Sequence, residues 1–387
     1  WVAEGTYTPT AEHGGSGDRY KSFQMKNGVA IYGGFDPSVG DTAWEDRDWE
    51  TNETILSGDL NGDDGSGFAN NEENSYHVFY HPDGTGLDTT AILDGFTITG
   101  GNADGILPHV YGGGMYNHGS SPTLSSCTFA GNWATGGGGM HNFLSSAPAL
   151  DHCHFSGNSA KWDGGAIYNV FTSAPELTGC TFEDNSANRG GGMYSLFSSP
   201  VLTGCTFSGN SAVEYGGAMD NYNSSPTLTN CGFTGNSAER GGGIYNDAGS
   251  PSLTGCSFVG NSATSEGGGM YNGGGSPSLT NCTFSANSAY DGGGVYNRSS
   301  SPVLNGCTFA ENLATEGGGG VNNYSSSPEL TGCSFAGNSA FIGGGMRNGN
   351  SAPDLVECTF EGNSAGNSGG GMYNGGSSPT LSLSLIH

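Results

Sequence analysis

From Pro122 onward the apolar positions of the chain fall in one recurring order: Pro, Leu two places on, Cys three after that, Phe two further, then Asn and Ala. The stretch "PSLTNCTFSANSA", Pro277 to Ala289, is one copy. Residues two apart share one face of a strand, so Cys and Phe point to the same side and the residue between them points away. Each copy closes with a variable turn and a phrase of the type G-G-[GA]-[MIV]-x-N. No stripe of helical period runs through it, so the pattern predicts short strands separated by Gly or Ser-Pro corners.

The register does not drift. Every cysteine of the chain lies in one column, Cys127, Cys153, Cys180, Cys205, Cys231, Cys256, Cys282, Cys307, Cys333 and Cys358, at intervals of 25, 26 or 27 residues. The phenylalanine column is Phe129, Phe155, Phe182, Phe207, Phe233, Phe258, Phe284, Phe309, Phe335 and Phe360. The asparagine column is Asn132, Asn158, Asn185, Asn210, Asn236, Asn261, Asn287, Asn312, Asn338 and Asn363. Such a period predicts an all-β fold, a right-handed parallel β-helix or β-solenoid. Leucine-rich repeats share the period, but their L-x-x-L-x-L scaffold is absent.

In a solenoid each coil lies about 4.8 Å above the last, so one repeated position becomes a vertical ladder. Leu, Cys, Phe, Ala and Met or Ile are expected to fill the bore, with the Asn amides bonding up and down the stack at corners. Residues 112–387 hold about eleven coils. Residues 1–111 lack the strict repeat but contain "VAIYGGF", "ETILSGDL" and "AILDGFTITGG", enough for three or four irregular coils with surface loops between Asp36 and Tyr80. About fifteen coils in one continuous domain would make a rod roughly 70 Å long.

Composition narrows the partners. Nine Lys and Arg against 36 Asp and Glu give a formal charge of -27, which repels nucleic acid and anionic membranes. No stretch approaches the length of a membrane helix, and no charged segment followed by an apolar one opens the chain. An even cysteine count suits an exported protein with disulfides. Parallel Cβ vectors in register do not converge, however, so a buried column of reduced thiols is the favoured reading.

The motifs "GGAI" (Gly164 to Ile167) and F-x-x-N (Phe129 to Asn132 and nine more) resemble the repeat of the polymorphic outer membrane proteins. The whole unit is similar to bacterial right-handed parallel β-helix repeat proteins of the cell surface. The phrases "NGVAIYGGF", "TILSGDLNGDDG", "NSYHV" and "ILDGFTITGGNA" extend the likeness to nearly the whole chain. The resemblance implies the fold and an extracellular or cell-surface place. Function it implies only weakly, since such repeats serve as adhesins and structural passengers.

Candidate chemistry is sparse. Tyr116, Tyr168, Tyr194, Tyr245, Tyr271, Tyr296 and Tyr373 precede corner residues and by alternation face outward, a column that could stack on sugar rings or on a partner, or simply stabilise neighbouring rungs. Asp59, Asn61, Asp63 and Asp64 in "GDLNGDDG" form a candidate structural calcium loop, although no cofactor is required. His152 and His154 flank Cys153 and, with His141, make a candidate zinc or copper set. The motifs of pectate lyases and polygalacturonases are absent, and no clustered general acid or base stands out.

The chain is therefore expected not to be an enzyme. It is expected to be an extracellular structural protein that stacks head to tail into fibres through ends at Trp1, Val2, Leu383, Leu385 and Ile386, since a heterologous contact propagates without closing. Its partners would be further copies of itself, or surface glycans or proteins, with no nucleic acid and no membrane insertion. The alternatives are an adhesin or glycan-binding module using the tyrosine column and, behind it, a polysaccharide lyase or hydrolase.

Overall fold

The second unit of the chain displays the repeat in its plainest form. One coil runs through four strands, Ser252–Thr254, Ser257–Val259, Ser262–Glu266 and Met270–Gly273. They are named here the Leu, Phe, Ala and Asn strands after the residue each turns inward, Leu253, Phe258, Ala263 and Asn272. Each pairs in parallel with its counterpart one coil on, with Leu253 opposite Leu279, Phe258 opposite Phe284 and Tyr271 opposite Tyr296. The coordinates are a computed structural model that describes every residue except Val39, Asp41, Thr42 and His387, and the backbone alone of Ile386.

Two compact units, Trp1–Tyr194 and Ser195–His387, are both wound this way. The fold is the parallel β-helix expected from the period, with two 3₁₀ turns, Asp18–Tyr20 and Trp44–Asp46, as its only helical segments among the described residues. Six Phe-type strands lie in the first unit and eight in the second, so the coils fall short of the fifteen expected. In the first unit the irregular coils use Ala30–Tyr32, Thr54–Ser57, Ile92–Asp94 and Thr97–Thr99, inside the pieces the sequence marked as strand-like.

The bore is filled by stacked side chains. In the second unit the Phe258 ring lies 4.7 Å from Phe233 and 4.5 Å from Phe284, centroid to centroid, with the ring planes nearly parallel. All ten cysteines are buried free thiols. They are also hydrogen-bonded: Cys282 Sγ donates to Leu253 O at 3.7 Å and, in the first unit, Cys153 Sγ donates to Leu124 O at 3.6 Å. Burial pushes the Cys153 thiol well above its ordinary range, the state expected of an inert core sulfur.

Two asparagine ladders run beside the core. At the corner after the Phe strand, Asn132 Nδ2 donates to Asn158 Oδ1 at 3.0 Å in the first unit, and Asn261 Nδ2 donates to Asn287 Oδ1 at 2.9 Å in the second. The second ladder belongs to the Asn strands themselves, with Asn272 Nδ2 donating to Asn297 Oδ1 at 2.9 Å. Repeated amides satisfy one another because each carries both donors and acceptors at one fixed height per coil.

The glycines mark the corner where the Ala strand turns into the Asn strand. Gly267 has φ +70, which suits glycine, and a Cβ on Gly268 would lie 2.4 Å from the backbone oxygens of Gly293 and Ser288. At Gly268 backbone therefore packs directly on backbone.

Candidate functional site

The outer face of the Phe sheet in the first unit carries a strip of polar side chains. Thr97, Thr128, His154 and Thr181 are in-register neighbours on successive strands, so all four project from the same face. Ser126 and His152 stand at the corner before the Phe strand, both in left-handed backbone conformation with φ of 48 and 49. That conformation turns each side chain out beside the strip.

One wall is added by the loop Ala43–Glu53, "AWEDRDWETNE". Arg47 fastens it: the guanidinium pairs with Asp94 Oδ1 at 2.6 Å and donates to Gly33 O at 2.7 Å, with only 4% of its side chain exposed. Its carbon Cζ sits 4.8 Å from the ring centre of Trp49 and 5.1 Å from that of Trp44. Asp48 tightens the following turn by accepting from the Glu50 and Thr51 amides at 3.1 Å, and these hydrogen bonds, led by those from Thr51, hold its carboxyl below the usual range. A buried cation pair and a ring stack therefore hold Trp49 against the sheet.

The result is an open groove of about 660 Å³ lined by Trp49, Glu50, Glu53, Thr97, Ser126, Thr128, His152 and His154. Trp49 keeps 40% of its surface exposed. Thr97 Oγ1 donates to Glu53 Oε1 at 2.8 Å, His152 Nδ1 lies 2.9 Å from Asp151 Oδ1, and His154 Nε2 is 3.9 Å from Glu183 Oε2. His154 Nδ1 also bonds Thr181 Oγ1. Carboxylates of the loop and imidazoles of the sheet, side chains suited to proton transfer, thus line one cleft that has an aromatic face.

Of the residues singled out in the sequence only His152 and His154 line this groove. The tyrosine column is not an outward face: Tyr116, Tyr168, Tyr194, Tyr245, Tyr271 and Tyr296 are all buried, and Tyr373 is half-buried. Alternation does turn the rings away from the bore, but the end of the Ala strand folds over them at the glycine corner. In the first unit Tyr111 stacks at 4.7 Å on His141, the member of this column between Tyr116 and Tyr168. In the second Tyr215 stacks at 4.6 Å on Tyr245, and the Arg240 and Glu266 side chains pair beside it at 2.6 Å. Burial raises the tyrosine hydroxyl pKa of Tyr116 and Tyr296 to about 12. The neutral reading of the column, rings that brace neighbouring rungs, matches this packing.

Of the calcium set, Asp59 and Asp63 come together with Glu73, and the three offer oxygens within 4.8 Å of one another, a group that does not include Asp64. Asp64 accepts from Asn74 Nδ2 at 2.8 Å, and burial raises its pKa. His152 and His154 share the groove, while His141 is buried on an Asn strand and leaves the trio unformed. Burial pushes His141 down to about 3. Trp1 is 61% exposed yet stacks on Phe35 at 4.7 Å, and Val2 lines an apolar hollow of about 200 Å³ with Phe23, Leu56 and Phe79. Leu383 and Leu385 are exposed, and the side chain of Ile386 lies outside the described residues.

Sequence reading missed the groove. Trp49 and Glu50 fall in the segment set aside as a surface excursion and Glu53 at the start of the strand-like "ETILSGDL", although two tryptophans among dense charge in "AWEDRDWETNE" were a signal.

The family described as right handed beta helix region matches residues 67–263 and 221–386, and the chain belongs to it. No curated protein sequence matches the chain. Among solved structures it is similar to tailspike protein 3 of bacteriophage CBA120, at 12% identity and a TM-score of 0.41, over 99% of this chain and 55% of that one. It is also similar to the A-module of a mannuronan C-5 epimerase from Azotobacter vinelandii, at 13% identity and a TM-score of 0.38, over 99% of this chain and 88% of that one. The chain thus spans about half the length of the tailspike chain. The expectation that the protein is not an enzyme does not stand. An epimerase is among the solved structures it resembles in fold, and Glu50 and Glu53, which the sequence did not single out, line one groove with His152 and His154. No helix among the described residues is long and apolar enough to cross a membrane.

Proposed function

We propose that the protein binds carbohydrate outside the cell, in the groove of its first unit. The observation that carries this reading is the exposed Trp49 ring facing a strip of hydroxyl, imidazole and carboxylate groups in a cleft of about 660 Å³. A sugar ring offers an apolar C–H face to an aromatic side chain and hydroxyls to polar neighbours, and this cleft supplies both partners. The likeness of the repeat to bacterial cell-surface β-helix proteins supports the exterior location.

The test is a glycan array followed by calorimetry. Selective binding is expected, and Trp49→Ala should weaken it at least ten-fold with the coil still folded at the assay temperature, although losing the ring over Arg47 lowers the melting temperature. Binding unchanged in Trp49→Ala, or no glycan bound at all, would overturn the reading. A second reading, chemistry on the bound sugar, is favoured by Glu53 and His154 in the same groove. Mass spectrometry of each bound glycan after long incubation checks it, with loss of any product in Glu53→Gln as the expected result.

A further inference from the structure

We infer that the sugar this groove prefers is a cationic one, a chain of amino sugars with free amines, in place of a neutral or acidic glycan. The inference rests on the carbohydrate reading above and adds the charge of the ligand.

Four observations bear on charge. Glu50 and Glu53 line the groove and are both exposed, so their carboxylates meet the ligand and not the core. At the margin Asp151 holds His152 at 2.9 Å and Glu183 lies 3.9 Å from His154, adding two more exposed carboxylates beside the imidazoles. No Lys or Arg is among the described lining residues. The cation closest to Trp49, Arg47, lies beneath the ring, 4% exposed and paired with Asp94 at 2.6 Å, so it cannot serve as a ligand for an anionic sugar.

The surroundings have the same sign. The chain carries a formal charge of -27, and a cleft lined by one sign of charge raises the local concentration of the opposite sign. A polyuronate would meet carboxylates in the groove with no basic side chain to receive it. A protonated amine on each sugar would meet acceptors at the rim and could also approach the face of Trp49 left open by Arg47, since indole attracts cations. Exposed ion pairs are individually weak, so the preference comes from several of them acting along a chain and is sensitive to salt.

The experiment compares three hexamers of similar size by calorimetry on the full chain: a β-1,4-glucosamine hexamer with free amines, its fully N-acetylated counterpart, and a mannuronate hexamer. The free-amine hexamer should bind at least five-fold more tightly than the acetylated one in low salt. That advantage should shrink to two-fold or less in 0.5 M sodium chloride and in the double variant Glu50→Gln, Glu53→Gln, whereas Trp49→Ala should weaken both amino-sugar chains. Equal or tighter binding of the acetylated or mannuronate hexamer would overturn the charge preference and leave carbohydrate binding standing. If no hexamer binds while the glycan array gives hits of neutral or acidic sugars only, the charge preference falls alone; if the array is also blank, both readings fall.

Discussion

Ser195 occupies the place that the regular Asn strands give to asparagine, and the exchange has a local cost. Asn221 Oδ1 and the Ser195 hydroxyl are buried with no hydrogen-bond partner among the described residues, whereas Asn246 Oδ1 accepts from Asn221 Nδ2 at 2.9 Å. A buried acceptor left without a donor costs about 1–3 kcal/mol. Ser195→Asn would bring an amide donor to that oxygen, and the second unit should gain about 1 kcal/mol, read as a shift in the denaturant midpoint without change in slope. An unchanged or lowered midpoint would show that the oxygen is already satisfied or that the larger side chain does not fit.

At the scale of the element, the three glycines of the corner are not equivalent. The second has no room for any side chain, as the 2.4 Å approach at Gly268 shows. The third is close to backbone too, yet Ala166 and Ala218 occupy that place in other coils and are fully buried. Gly268→Ala is therefore expected to destabilise the second unit by roughly 1–3 kcal/mol or more, and Gly269→Ala by clearly less, when both are melted side by side. The Phe strand offers a matched contrast. Phe258→Ala removes a fully buried ring stacked on both sides, and about 3–5 kcal/mol should be lost on chemical denaturation. The same corner explains the error about the tyrosines: strand alternation gives the direction of a side chain relative to the bore, but whether that side is open depends on what the turn folds over it.

At the scale of the whole molecule, charge and titration dominate. Four histidines of the first unit are buried, and desolvation lowers them all: His77 and His141 to about 3, His81 to about 4, and His109 below its ordinary value. Unfolding returns them to about 6.5, so between those limits the unfolded chain binds more protons and stability falls as pH falls. Each histidine contributes about 1.4 kcal/mol per pH unit once the pH is well below 6.5. The window from pH 6.5 to 5 isolates this effect, since ordinary carboxylates begin to protonate lower down. All five tryptophans, Trp1, Trp44, Trp49, Trp133 and Trp162, belong to the first unit, so tryptophan fluorescence reports its melting directly. The melting temperature should drop from pH 7 to 5, and His141→Tyr, which restores the prevailing residue of its column, should make the drop shallower. A pH-independent melt would mean that the histidines are not excluded from water.

The sequence by itself determined the coil. Its period, the inward Cys and Phe columns and the corner asparagines are local consequences of alternation and of a repeated register, so ten copies of one pattern leave little freedom. Even the irregular strands near Ile31, Leu56 and Leu93 were legible as apolar runs. What only the tertiary structure decided is which surfaces are open and which distant residues meet. Arg47 finds Asp94 and holds Trp49 in the groove that His152 and His154 also line, a meeting across about a hundred residues that no periodicity encodes. The tyrosine column, conspicuous in the sequence, is covered for the converse reason: burial is a property of neighbours in space, and a repeat announces only neighbours along the stack.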